Sequence, residues 1–133
     1  MSKTMLVVDD SASMRQLVAY TLKQAGFDVL FAENGKDALA EFGTAKVDMV
    51  ITDLTMPEMD GIEFIKKLRD LTVYKFAPIV MLTTESQEEK KLEGKKAGAS
   101  GWIMKPFDPE QLMKVVNRFV KHDENRLPSQ FGA

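Results

Sequence analysis

Asp9 and Asp10 stand together directly after the apolar run Met5 to Val8, and Asp53 closes a second apolar run that starts at Met49. Thr83 follows Ile79 to Leu82, and Lys105 follows Gly101 to Met104. Three carboxylates, a hydroxyl and an ammonium, each placed after a strand-length run, are ingredients for handling an anion at one sheet edge. Carboxylates gathered there repel, each close pair by about 4 kcal/mol at about 4 Å with an effective dielectric of roughly 20. A hard divalent cation offsets that cost. Mg²⁺ suits the set, because it accepts a few oxygens at about 2.1 Å, keeps several waters and is commonly completed by substrate phosphate. With the metal bound, Asp53 can attack phosphorus and form an aspartyl phosphate. Phosphoryl transfer needs charge stabilisation more than covalent help, so Mg²⁺, the Lys105 ammonium and the Thr83 hydroxyl are the groups to meet the equatorial oxygens.

Each residue also has an ordinary reading. Asp9-Asp10-Ser11 fits a helix cap, and Asp53-Leu54-Thr55-Met56-Pro57 fits a strand leaving into a turn. Thr83 alone reads as a loop hydroxyl, and Lys105 before Pro106 as a solvated side chain. What separates the readings is position: all of them fall at strand ends on the same side of one sheet, which capping does not require.

The elements that would position them alternate between strand-length apolar runs and segments of helical period, the pattern of βα units on a parallel sheet. Met5 to Val8, Asp28 to Ala32, Met49 to Thr52, Ile79 to Leu82 and Gly101 to Met104 read as strands. The first helix follows Ser11, with Met14, Leu17, Val18, Thr21 and Leu22 on its inner face, and ends at Gly26. A second, from about Gly35, turns Ala38, Leu39 and Phe42 inward and stops at Gly43. Ile62, Phe64, Ile65 and Leu68 mark the third. The fourth spans Ser86 to Ala97, where Ser86 with Glu89 fits a capping box. The fifth opens at Asp108-Pro109 and repeats Leu112, Val115, Val116 and Phe119 at helical spacing. Right-handed crossovers close these units into an α/β fold with a five-stranded parallel, doubly wound sheet, which binds ligands at the carboxyl ends of its strands.

The chain has 133 residues, is 44% hydrophobic and contains no cysteine, so one domain with its own apolar core and a cytoplasmic setting are expected. The domain is expected over residues 1–120, with 121–133 a mobile tail that contains Pro128 and Gly132. The four apolar residues before Asp9 are too short a run for a signal core or a membrane span. A formal charge of −2 without a basic cluster argues against nucleic acid as a partner. His122, the sole histidine, sits in the polar tail, so histidine chemistry must come from another protein.

Val7-Val8-Asp9-Asp10-Ser11, Asp53-Leu54-Thr55-Met56-Pro57-Glu58-Met59-Asp60-Gly61, Leu82-Thr83-Thr84 and Lys105-Pro106-Phe107 together resemble the receiver domains of two-component response regulators, in particular the single-domain CheY-like chemotaxis type. The resemblance covers roughly residues 3 to 120. It implies a flavodoxin-like (βα)5 sheet in the order 2-1-3-4-5. It further implies that Asp53 takes a phosphoryl group from a phosphohistidine on a sensor histidine kinase, with Mg²⁺ held by Asp10, Asp53 and the Thr55 backbone carbonyl. Asp9 would support the metal through water. The Lys105–Pro106 peptide would be cis, and Pro57 and Gly61 would shape the loop after Asp53. In the family a hydroxyl, here Thr83, moves toward the phosphoryl group, and an aromatic on the fifth strand follows it inward. That couples the site to the face formed by the fourth helix, fifth strand and fifth helix. Trp102 holds the aromatic position, where tyrosine or phenylalanine is usual. Thr55 and Glu85 match positions that modulate dephosphorylation.

Such a protein is expected to be a monomer that assists its own phosphorylation and autodephosphorylation, not a conventional enzyme. Its partners would be the kinase, a downstream protein and a phosphatase, with no membrane contact. The downstream protein would be a flagellar motor component or a histidine phosphotransfer protein, the latter if the chain is a phosphorelay intermediate. A flavin or nucleotide module would want a Gly-, Ser- or Thr-rich phosphate loop where this chain has Asp9 and Asp10. An Mg²⁺-dependent phosphohydrolase with an aspartate nucleophile shares the chemistry, but it needs a substrate cap for which the short connections leave no room.

Overall fold

A computed structural model describes residues 3–120, with Glu85 described by its backbone alone. The stretch 121–133, expected to be a tail, lies outside the described residues together with His122. Five strands are present: β1 (Thr4–Val8), β2 (Asp28–Ala32), β3 (Met49–Asp53), β4 (Ile79–Thr83) and β5 (Gly101–Met104). They pair in parallel in the order β2-β1-β3-β4-β5, the flavodoxin-like order 2-1-3-4-5. The helices between and after them are α1 (Ala12–Gln24), α2 (Gly35–Phe42), α3 (Gly61–Arg69), α4 (Glu88–Ala97) and α5 (Pro109–Phe119).

The inner strands β1, β3 and β4 are buried along almost their whole length and mostly apolar because helices cover both faces, and their side chains alternate between two cores. Leu6, Val8, Val50, Ile79 and Met81 pack with Ile62, Phe64, Ile65 and Leu68 of α3 and Ala38 of α2. Met5, Val7, Met49, Ile51, Val80 and Leu82 pack on the opposite face with Val18 and Leu22 of α1 and Leu112 and Val116 of α5. β1 pairs with β2 on one side and β3 on the other, so the direction of winding reverses between β1 and β3. The carboxyl ends of those two strands flank the crevice where such sheets bind ligands. Asp9 and Asp53 are there.

Three helices begin on a single side-chain cap. Ser11 Oγ accepts the Met14 N–H at 3.2 Å, Asn34 Oδ1 the Asp37 N–H at 2.7 Å, and Asp60 Oδ1 the Glu63 N–H at 2.9 Å. α5 opens with a full capping box between Asp108 and Gln111, with Pro109 in its first turn.

The fourth helix corrects the expectation. A 3₁₀ turn over Glu85–Gln87 precedes α4, which starts at Glu88, and the capping box joins Thr84 to Gln87 instead of Ser86 to Glu89. Thr84 has the extended backbone that a cap requires, and the Ser86 hydroxyl is taken up by a 2.8 Å hydrogen bond to the Thr84 hydroxyl. On α1, Leu17 is exposed and Ala19 buried, because Leu17 lies a turn-fraction outside the stripe centred on Val18 and Leu22.

Candidate functional site

β1 ends at Val8, so the chain delivers Asp9 into the crevice and then turns into α1. Asp9 is 1% exposed. Its Oδ1 accepts the Ser11 N–H at 2.9 Å, and the Arg15 guanidinium holds its backbone carbonyl at 2.7 Å. Oδ2 is buried without a hydrogen-bond partner, since the nearest cation, Lys105 Nζ, stands at 3.9 Å. Burial pushes the Asp9 carboxyl above the usual carboxylate range, and Asp53 and Asp10 add to the rise. The Ser11 N–H and Lys105 oppose it. Asp10 is exposed beside it.

Asp53 terminates β3 and is 7% exposed. Donors converge on one of its oxygens: the Leu54 N–H reaches Oδ1 at 2.8 Å, the Thr55 N–H at 3.4 Å, and Lys105 Nζ at 3.3 Å. Among the described residues no donor is assigned to Oδ2. The turn that follows is fixed by local rules. Glu58 takes a left-handed φ of 69°, and the Met59 N–H bonds the Pro57 carbonyl across it at 2.7 Å. Gly61 then brings α3 back against the end of β3. A Cβ there would lie 2.5 Å from the Asp53 carbonyl oxygen and 2.6 Å from Leu54 Cα, so only glycine permits the approach.

Asp9, Asp10 and Asp53 each offer a carboxylate oxygen, and these oxygens lie within 4.8 Å of one another. Among the described residues Lys105 is the one ammonium paired with this set, which leaves it short of positive charge, and the orphaned Asp9 Oδ2 marks where. An oxygen-only set of this kind fits a hard divalent cation such as Mg²⁺.

Lys105 projects into the site after β5, and its peptide bond to Pro106 is cis. Thr83 is fully buried at the end of β4, but its hydroxyl donates to the Met104 thioether at 3.9 Å and does not reach Asp53. Trp102 is 45% exposed, with the Lys91 ammonium 4.5 Å above its ring and Glu88 pairing Lys91 at 3.5 Å. The structure thus gathers Asp9, Asp10, Asp53 and Lys105 directly, keeps the Thr83 hydroxyl on Met104 and leaves Trp102 partly exposed. Pro57 is exposed, on the rim.

Residues 5–117 match the family model of the response regulator receiver domain. The chain belongs to that family. This receiver is 49% identical to the chemotaxis response regulator CheY4 of Vibrio cholerae, whose structure it matches with a TM-score of 0.85 over 90% of this chain and 100% of that one. It is 42% identical to chemotaxis protein CheY1 of Helicobacter pylori over 84% of this chain and 92% of that protein. It is also 37% identical to the alkaline phosphatase synthesis transcriptional regulatory protein PhoP of Bacillus subtilis over 97% of this chain, yet it spans only 53% of that relative. Among the described residues of the receiver, no helix is long and apolar enough to cross a membrane.

Two features of the receiver carry no signal in a linear motif. Met104, as the partner of the Thr83 hydroxyl, reads as an ordinary strand residue. Gln87 joins Thr84 to Thr55 across the mouth of the site, a contact between residues 32 apart.

Proposed function

We propose that Asp53 accepts a phosphoryl group from a phosphohistidine on a sensor kinase. The observation that carries this reading is the Asp53 carboxylate itself, nearly buried, with Lys105 at 3.3 Å and two further carboxylates gathered around it. Oδ1 is occupied by backbone donors and Lys105, which leaves Oδ2 to attack. The Oδ2–P bond forms as the P–N bond to the imidazole breaks, and the departing ring nitrogen keeps the electron pair and takes a proton from solvent. The Lys105 ammonium stays beside the incoming phosphoryl oxygens and balances their charge. Asp10, Asp53 and the Thr55 carbonyl would hold Mg²⁺, with Asp9 supporting it. Bound there, the metal supplies positive charge to the transferring group. The 3.9 Å contact of Thr83 with Met104 is weak, so the hydroxyl can exchange it for a phosphoryl oxygen.

The readout then passes to the face formed by α4, β5 and α5, with Trp102 as the moving aromatic, and to a separate protein. Chemotaxis signalling in the cytoplasm is the setting favoured, because CheY4 is more similar (49%) than the transcriptional regulator PhoP (37%). A relay intermediate would share the chemistry. The receiver in this reading occupies residues 1–120. The test is transfer from a phosphorylated chemotaxis-type histidine kinase carrying labelled phosphate. Label is expected to leave the kinase and appear on this chain in Mg²⁺, and label that stays on the kinase under all conditions overturns the proposal.

A further inference from the structure

Gln87 has both ends of its amide engaged. Its Oε1 accepts the Thr84 backbone N–H at 2.7 Å and the Thr84 hydroxyl at 3.2 Å. A backbone N–H can only donate, so the amide oxygen must face Thr84, and the amide nitrogen is left to donate to Thr55 Oγ1 at 3.0 Å. Thr55 in turn sends its backbone N–H toward Asp53 Oδ1 at 3.4 Å, beside the shorter bond from Leu54. The loop after β4 is therefore linked through Gln87 to the Thr55 side chain, and through the Thr55 backbone to the acceptor carboxylate. This link joins the two loops that flank Asp53, between an exposed Thr55 and a half-buried Gln87.

We propose that Gln87 is a positioning residue that sets how long a phosphoryl group survives on Asp53. The inference rests on the acceptor reading above and deepens it. Loss of the group requires water to attack phosphorus. A new O–P bond forms, the P–O bond to Asp53 breaks with its electron pair returning to the carboxylate, and inorganic phosphate leaves with the protons of the water. Asp53 is only 7% exposed, so access for that water depends on how far the two flanking loops part. The Gln87 bridge holds them together. Removing it frees the Thr55 peptide and opens the approach while leaving the Lys105 ammonium and the Thr83 hydroxyl in place.

The experiment uses the whole chain, loaded with a small acyl phosphate and Mg²⁺, freed of donor, and followed by intact mass. Gln87→Ala removes the bridge, and Thr55→Val removes only the receiving hydroxyl while keeping the branched shape. Each is expected to shorten the lifetime about three- to tenfold. The double variant is expected to decay no faster than the faster single one, because both substitutions cut the same connection. In the unphosphorylated chain, amide hydrogen exchange at Thr55 should quicken in Gln87→Ala, which a purely structural helix cap would not require. Wild-type decay in Gln87→Ala, or single effects that multiply in the double variant, overturns the inference alone. A wild-type chain that takes up no phosphoryl group overturns the acceptor reading and this inference with it.

Discussion

Helices α3 and α4 cover the same face of the sheet on different terms. α3 buries Gly61, Ile62, Phe64, Ile65 and Leu68, whereas α4 buries Gly94 alone and leaves Leu92 63% exposed. The loop into α3 follows Asp53 at the end of β3 and is locked by the close approach of Gly61. The loop into α4 follows Thr83 at the end of β4, starts with Thr84 and is tied down by a capping box and the Gln87 bridge. Burial of apolar side chains stabilises by about 1.5–3 kcal/mol each, so α3 is held by several such contributions and α4 by almost none. The two helices divide the labour. Groups that must stay in register for chemistry sit on the deeply packed side, and the element that must respond sits where displacement costs little.

The comparison is broken most severely at its rigid end. Gly61→Ala drives a methyl into the Asp53 carbonyl and the Leu54 backbone, and neither can yield, so a loss of about 2–3 kcal/mol is expected in urea denaturation. Gly94→Ala on α4 meets the flexible end of the Met81 side chain and should cost clearly less. Equal costs would remove the distinction between the two helices.

A smaller effect of opposite sign is expected at Asp9. A raised carboxyl pKa means that the folded chain holds the proton more tightly than the unfolded one. Stability is therefore present at low pH and lost as pH rises from the ordinary carboxyl value of 3.8 through the raised one. Asp9→Asn lacks that loss, so in metal-free buffer at neutral pH it should melt higher, by a few degrees for about 1 kcal/mol. Mg²⁺ should raise the melting temperature of the wild type more than that of the variant. The calorimetric traces of the two proteins with and without Mg²⁺ check both statements.

The smallest effect on stability sharpens the mobile end. Lys91→Met keeps the stem over Trp102 and removes the charge, at a cost of about 0.5 kcal/mol. Because Trp102 is the chain's single tryptophan, its emission and its quenching by acrylamide should change nonetheless. An unaltered spectrum would mean that the cation does not hold the indole.

The same contrast explains what could be read from the sequence. The strands were legible because the inner strands of a sheet covered on both faces are mostly apolar along their length, and Asp9, Asp53, Thr83 and Lys105 were legible because they follow those runs at their ends. The start of α4 was not. Thr84 with Gln87 and Ser86 with Glu89 satisfy the same capping rule, and the choice is coupled to the bond from Gln87 to Thr55, far away in sequence. Arg69 was hidden for a similar reason. It reads as a solvated helix end, yet its guanidinium donates to the carbonyls of Tyr74, Ala77 and Gly98, which only the completed fold brings together. Leu17 lay at the margin of an apolar stripe, where periodicity cannot assign a side.

Whether Asp53 receives the phosphoryl group, in a site that needs a divalent cation, is read from intact mass. Wild type and Asp53→Asn are incubated side by side with a small acyl phosphate, in Mg²⁺ and in chelator. The mass gain of one phosphoryl group is expected in the wild type with Mg²⁺ and in no other sample. A gain in Asp53→Asn, or an undiminished gain in chelator, would contradict it.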